Sequence, residues 1–435
     1  MSRDREVAEA RRARLLSRRD FLRLGGAGAM GGIVLAACRG REPTAGPAAP
    51  GQPGARPVKV GSILDQTGPI NIYGLPMIDA TTFALEDLNE QGGVLGRRLE
   101  LQFFDAQSTN EKYTEFATQL ALDDEVVVIM GGITSASREA IRPIIDQHRK
   151  LYFYNEQYEG GVCDKFTFCT GVVPSQQLRT LIPWAIQNIG PKFYTAAADY
   201  NYGQISAAWV RKILEEEGGE LVGQEFIPLE VAEFGPTIDK VQRARPDVFM
   251  SLLVGGNHIA FYRQFAAAGL KDEIKIVSPT FGLGNEHIVL DPSEGQGIIV
   301  VYPYFQELDN PTNREFVDRW HQRFGEDYPY ITDSANVVWT GWHLWAMAVE
   351  KAGTFETDAV IRALESGLEF EAPEGNVRLD PPTHHLWHNA HIAQVNDRHG
   401  FEIIQSFENI PPEFEQEVCN LIENPDTFTQ YTPEL

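Results

Sequence analysis

The chain has little positive charge, little cysteine and no long apolar run. Only 37 Lys and Arg stand against 61 Asp and Glu, a formal net charge of -24. Neutralising phosphates needs a basic face, so this balance argues against a nucleic-acid partner. The four cysteines, Cys38, Cys163, Cys169 and Cys419, match neither zinc-ribbon nor CxxC spacing. The apolar run over residues 24–37 is too short, and too rich in Gly and Ala, for an ordinary membrane span. The sequence has no GxSxG nucleophile elbow or P-loop, and no Ser/His/Asp order suggests itself. Catalysis therefore has no support at this level, and no cofactor is implied.

At 435 residues the chain exceeds what one core usually supports, and its 43% apolar content is ample for two. The N-terminal stretch reads as targeting. Ser17-Arg18-Arg19-Asp20-Phe21-Leu22 matches the twin-arginine export pattern, and Leu35-Ala36-Ala37-Cys38 matches a lipobox acylated on its cysteine. Residues 1–38 are predicted to be a Tat-type lipoprotein signal peptide, with Cys38 the lipidation site. The Gly/Pro/Ala-rich residues 39–57 follow as a flexible tether. The expected product is exported and held by lipid to the outer face of the cytoplasmic membrane.

From Val58 onward, short apolar strands alternate with helical periodicity. Strands are expected at 58–64, 99–104 and 126–130, each followed by a helix. The rhythm restarts at 193–198 and continues through strands near 221–228, 248–253, 274–277 and 298–301. That alternation means right-handed βαβ units and parallel sheets, here in two lobes. Helices follow at 312–324, 333–353 and 357–368, then a hairpin at 388–404. The residues after Ile410 are Pro- and acid-rich and show no clear pattern. In an oxidising compartment Cys163 and Cys169 are predicted to close a small loop, with Cys419 left over.

In open α/β sheets ligands sit at the carboxyl ends of strands. Two such exits stand out, Tyr154-Asn155-Glu156-Gln157-Tyr158 and Asp199-Tyr200-Asn201-Tyr202. Tyr154, Tyr200 and Tyr202 offer flat apolar faces with polar tips, whereas Tyr158 is expected to pack in the core or hinge. Glu156 can accept amide N–H groups or pair with an ammonium. Thr134 and Ser135, where a strand gives way to a helix, can cap that helix or turn to a ligand oxygen. His384, His385, His388 and His391 invite a zinc reading. They lead into a strand rather than a helix, though, so the i, i+4 spacing does not converge, and no metal site is assigned.

In order, these motifs resemble those of the type I periplasmic binding proteins of ABC transporters, in the branch that binds urea and short-chain amides, close to the branched-chain amino-acid binders. The resemblance covers residues 58–408. It is carried by Asp65-Gln66-Thr67-Gly68-Pro69, Asn89-Glu90-Gln91-Gly92-Gly93-Val94-Leu95-Gly96, Asp105-Ala106-Gln107-Ser108 and the two strand exits. Phe234-Gly235-Pro236-Thr237, Leu253-Val254-Gly255-Gly256-Asn257 and His384-His385-Leu386-Trp387 complete it. It implies two Rossmann-like lobes joined by a three-crossover hinge, with the ligand in the interlobe cleft. Lobe 1 would be 58–178 and 305–379, lobe 2 179–304 and 380–410, and 411–435 a C-terminal tail. The ligand residues it implies are Thr134, Ser135, Tyr154, Glu156, Tyr200 and Tyr202, with Gly256 and Thr280 at later strand ends. Glu156 replaces an uncharged residue of the amide binders, which makes room for a cationic or strongly donating ligand. The implied role is a solute receptor that hands urea, a short-chain amide or an amino acid to a membrane permease. The alternatives are a ligand sensor for a regulator, against which the export signal argues, and a hydrolase, which lacks its nucleophile.

Overall fold

The computed structural model describes residues 56–434. The expected signal peptide, Cys38 and nearly all of the tether lie outside the described residues. Within them the chain builds β1 (Val58–Leu64), α1 (Asn71–Glu90), β2 (Leu99–Asp105), α2 (Asn110–Leu122), β3 (Val126–Gly131) and α3 (Ser135–His148). The short strands β4 (Tyr152–Tyr154), β5 (Val162–Asp164) and β6 (Thr167–Cys169) follow. The first sheet runs β2-β1-β3-β4-β6, every pair parallel. Helices on its faces bury both sides of these strands, so β3 is Val-Val-Val-Ile-Met-Gly rather than an alternating pattern.

The chain then crosses to a second sheet through α4 (Pro174–Asn188), β7 (Lys192–Ala198), α5 (Asn201–Glu217) and β8 (Glu220–Ile227). It continues through α6 (Gly235–Ala244), β9 (Val248–Leu252), α7 (Ile259–Ala267), β10 (Lys275–Ser278) and β11 (Ile299–Tyr302). This sheet runs β11-β10-β9-β7-β8, again parallel throughout. After β11 the chain returns to the first lobe as α8 (Pro311–Phe324), α9 (Asp333–Ala352), α10 (Thr357–Leu364), β12 (Glu369–Ala372) and β13 (Gly375–Asp380). Phe83 of α1 packs edge-on against Trp320 and Phe316 of α8, at centroid distances of 5.2 and 5.8 Å. Trp320 is fully buried there, making it one of the larger contributors to this core.

The third crossing is a single strand. β14 (His385–Val395) pairs at its start with β6 and β13, and further on with β11 and with β15 (Phe401–Ile410). One strand therefore closes the first sheet and opens the second, and hydrogen bonding is continuous between lobes expected to have separate sheets. The hairpin is also longer than its sequence pattern. Helix α4 had no sequence-based expectation, because Pro183 in its interior breaks the apolar pattern. Its start is marked instead by Pro174 at the first turn and by Gln176, whose carbonyl accepts from the Val173 N–H at 3.1 Å.

Two expectations about the tail and the cysteines are corrected. The tail is ordered: α11 (Glu413–Val418) is followed by β16 (Phe428–Gln430), which pairs antiparallel with β5. Cys163 is bonded to Cys419, 256 residues away, and not to Cys169. The reason is topological. Cys163 lies on β5, in the small two-stranded sheet with the tail, whereas Cys169 is a buried strand residue of the first sheet. Burial pushes the Cys169 thiol up to about 12, which makes it inert.

Candidate functional site

The carboxyl ends of β3, β4, β7, β9 and β10 converge on one cleft between the lobes. It holds about 360 Å³ of space, part of it open to solvent. Ile133, Thr134, Ser135, Glu156, Gln157 and Tyr73 form the first-lobe wall, and Tyr200, Tyr202, Val254, Thr280 and Leu283 the second. Six of the eight residues singled out from the sequence line it: Thr134, Ser135, Glu156, Tyr200, Tyr202 and Thr280.

Tyr154 and Gly256 are placed elsewhere. The Tyr154 ring is fully buried behind the first wall; its hydroxyl donates to the Ile133 carbonyl at 2.6 Å, and the Arg138 guanidinium lies 5.1 Å from its ring centroid. Tyr154 thus fixes the β3 exit from behind. Tyr158, expected in packing, is buried beside it, with its hydroxyl 2.5 Å from His385 Nε2. Gly256 belongs to the lip of the cleft, where its N–H meets the Pro69 carbonyl at 3.4 Å. Nearby, the Gly255 N–H donates to the Tyr73 hydroxyl at 3.0 Å, and Gly284 packs on Ile72. These lobe-to-lobe contacts describe a closed cleft. Sequence reasoning missed Tyr73, Ile133, Gln157, Val254 and Leu283 as lining residues; of these Gln157 sat in a flagged strand exit and Val254 in a quoted motif.

Thr134 is the N-cap of α3. Its Oγ1 accepts from the Ser137 N–H at 3.1 Å, so its own O–H remains available to donate to a solute oxygen. The first N–H groups of α3 likewise have no intrahelical acceptor. Ser135 is the reverse case. Its hydroxyl donates to Glu159 Oε2, which leaves Ser135 only lone pairs to offer a solute. On the other wall the Thr280 hydroxyl donates to the Leu253 carbonyl at 2.8 Å.

Glu156 is only 5% exposed. The Ser334 hydroxyl at 2.7 Å and the Gln157 backbone N–H at 2.9 Å donate to it, and both are neutral. No cationic side chain among the described residues pairs with it. Burial pushes this carboxyl up to about 7. The wall as a whole presents acceptors at Glu156 and Ser135, donors at the Thr134 end, and apolar surface from Ile133, Val254, Leu283 and the tyrosine rings.

The four histidines between 384 and 391 do not converge. His384 faces Glu365 at 3.3 Å, His388 faces Glu374 at 3.0 Å and His391 faces Ser406 at 2.7 Å. Among the described residues no group of three or more His, Cys, Asp or Glu is placed to hold a metal. No described helix is long and apolar enough to cross a membrane.

A sequence profile described as "Periplasmic binding protein domain" matches residues 58–416, and the chain belongs to that family. Leu/Ile/Val-binding protein homolog 6 of Brucella melitensis is 22% identical over 347 residues, covering 78% of this chain and 87% of its own length. Two solved structures share the fold. One is an amino acid ABC transporter substrate-binding protein from Pseudomonas fluorescens, with a TM-score of 0.75 at 19% identity, covering 84% of this chain and 100% of its own. The other is an ABC transporter solute-binding protein from R. palustris in complex with 4-hydroxybenzoate, with a TM-score of 0.72 at 21% identity, covering 82% and 98%. The architecture is that of a type I periplasmic binding protein, two α/β lobes around a cleft for small solutes. The matched relatives are named as solute-binding proteins, not enzymes.

Proposed function

We propose that the chain is the exported solute receptor of an ABC importer, and that it captures an amino acid with an apolar side chain. The observation that carries this reading is Glu156, a buried cleft carboxyl with no cationic partner. An isolated buried charge is costly, and a solute ammonium group supplies the missing partner. Ser135 adds a second acceptor for N–H groups. The Thr134 hydroxyl and the first turn of α3 suit a carboxylate oxygen. Ile133, Val254 and Leu283 suit an apolar side chain, which urea lacks. The amino-acid relatives point the same way. Binding favours the closed form because the solute touches both walls, and a permease then reads that form. Acylation at Cys38 would keep the receptor at the membrane that carries the permease.

A second reading, a short-chain amide, is favoured by the Glu156 carboxyl itself. With its pKa at about 7, it can donate to an amide oxygen as well as accept from the amide nitrogen. Thermal unfolding across leucine, alanine, lysine, acetamide and urea separates the two. A solute at about 100 times its dissociation constant stabilises the fold by about 2.7 kcal/mol. A shift with amino acids that Glu156→Gln abolishes supports the first reading. A shift with acetamide that Glu156→Gln preserves supports the second. No shift with any of them overturns both.

A further inference from the structure

The tail reaches the back of the cleft. β16 pairs with β5, Gln430 opposite Val162, and the Gln430 amide donates to Glu159 Oε1 at 2.5 Å and to the Gly160 carbonyl at 3.1 Å. Arg138 Nη2 donates to the same Oε1 at 2.8 Å. With Oε1 held by two donors, Oε2 is the oxygen left for the Ser135 hydroxyl. Ser135 in turn lines the cleft.

The loop around Glu159 is clasped by the tail on both sides. The Gly161 N–H donates to Glu415 Oε1 at 2.9 Å, and the Tyr431 N–H donates to the Gly161 carbonyl at 2.8 Å. At Gly161, with φ +84°, a Cβ would stand 1.9 Å from the Tyr431 carbonyl oxygen, so only glycine permits this approach. Trp209 of the second lobe also donates to the Glu159 carbonyl, at 3.1 Å. The Cys163–Cys419 disulfide ties the strap to β5.

We propose that residues 413–431 form a disulfide-fixed strap whose Gln430 acts with Glu159 of the clasped loop as positioning residues for Ser135, holding its hydroxyl proton away from the cleft so that Ser135 serves the solute as an acceptor. The role in solute binding rests on the receptor reading above; the positioning itself does not. Residues 417–431 of the strap lie beyond residue 416, where the family match ends. Since the bonds involve a buried carboxylate, losing one partner exposes the rest of the network to local opening.

The test is hydrogen exchange read by mass spectrometry on the full chain, as wild type, Gln430→Ala and thiol-reduced wild type. Gln430→Ala keeps the disulfide, and reduction keeps the sequence, so failure of one to stay folded leaves the other informative. The expected result is exchange about tenfold faster in peptides covering 134–138 and 156–161, the factor that one charge-assisted hydrogen bond corresponds to, with 248–252 unchanged. Acceleration confined to 413–434, or uniform acceleration across both lobes, overturns the proposal. Leucine binding is measured in parallel. If leucine binds the wild type, Gln430→Ala should weaken it about tenfold by the same reasoning, and unchanged affinity with faster exchange at 134–138 overturns the acceptor role. Should none of the five solutes named above bind the wild type, the receptor reading fails while the exchange result still decides the positioning.

Discussion

Ser334 donates to Glu156 across 2.7 Å, joining the first turn of α9 to the β4 exit at the floor of the cleft. Its neighbour Asp333 is also buried, and burial holds that carboxyl well above the usual range, with Glu374 and Glu156 adding to the effect. Two buried carboxyls at one helix N-terminus, neither with a cationic partner, favour keeping a proton in the empty site. A cationic solute would displace that proton.

This gives a pH dependence with a definite sign. The folded pKa of Glu156, about 7, lies above its reference value of 4.5. Between those values the folded state binds more protons than the unfolded state, so stability is present at low pH and is lost as pH rises towards 7. The loss from this group amounts to about 3 kcal/mol at most. Glu156→Gln should therefore unfold at a higher temperature than wild type at pH 8 and at nearly the same temperature at pH 4.5, without solute. An equal difference at both values would show that Glu156 is not buried as described.

Thr134→Ala removes the cap that Ser137 N–H relies on. The expected loss is about 1 kcal/mol in a denaturant titration. A solute that needs the Thr134 O–H should also bind more weakly to this variant, whereas Thr134→Ser should retain both properties. If Thr134→Ser were as weak as Thr134→Ala, capping would not be the explanation.

The cysteines make a separate prediction. Cys419→Ser should cost about 2–5 kcal/mol, because the cross-link closes a very long loop in the unfolded chain. Cys169→Ala removes only one buried sulfur and should cost about 1 kcal/mol, typical of a small cavity. Peptide mapping without reductant should recover a Cys163–Cys419 cross-linked pair. A Cys163–Cys169 pair would contradict the strap as well as the topology.

The contrast between these cysteines shows where sequence reading succeeds and stops. Strand exits are local: the residues after β3 and β4, such as Ser135 and Glu156, follow apolar runs whose ends are visible in the chain. Rules about strand ends then place them on one cleft without knowledge of their partners. Tyr154 ends β4 and is buried behind the wall, whereas Glu156 lies past the strand, where strand alternation no longer sets which way a side chain points. Long-range partners carry no local mark. Cys419 finds Cys163 because β16 pairs with β5, and three-residue strands have too little pattern to be read. Glu159 was passed over for the same reason: its partners, Ser135, Arg138 and Gln430, stand 24, 21 and 271 residues away along the chain.

Closure of the lobes is testable at the lip. A Cβ placed on Gly284 of the second lobe would stand 2.8 Å from Ile72 Cδ1 and Cγ1 of the first, closer than side chains tolerate. Gly284 is outside the left-handed region, so its backbone accepts a side chain, and opening the cleft relieves the clash. Gly284→Ile should therefore leave each lobe folded but disfavour the closed form by about 1–3 kcal/mol, the usual penalty of overpacking. Solute affinity should fall by about 5–150-fold, the equivalent of that range, because fewer molecules are competent to close. Small-angle scattering should show a larger radius of gyration in the presence of solute than wild type has. An unchanged radius together with a large drop in unfolding temperature would mean that the Ile72–Gly284 contact holds the fold itself and is not one that hinge opening breaks.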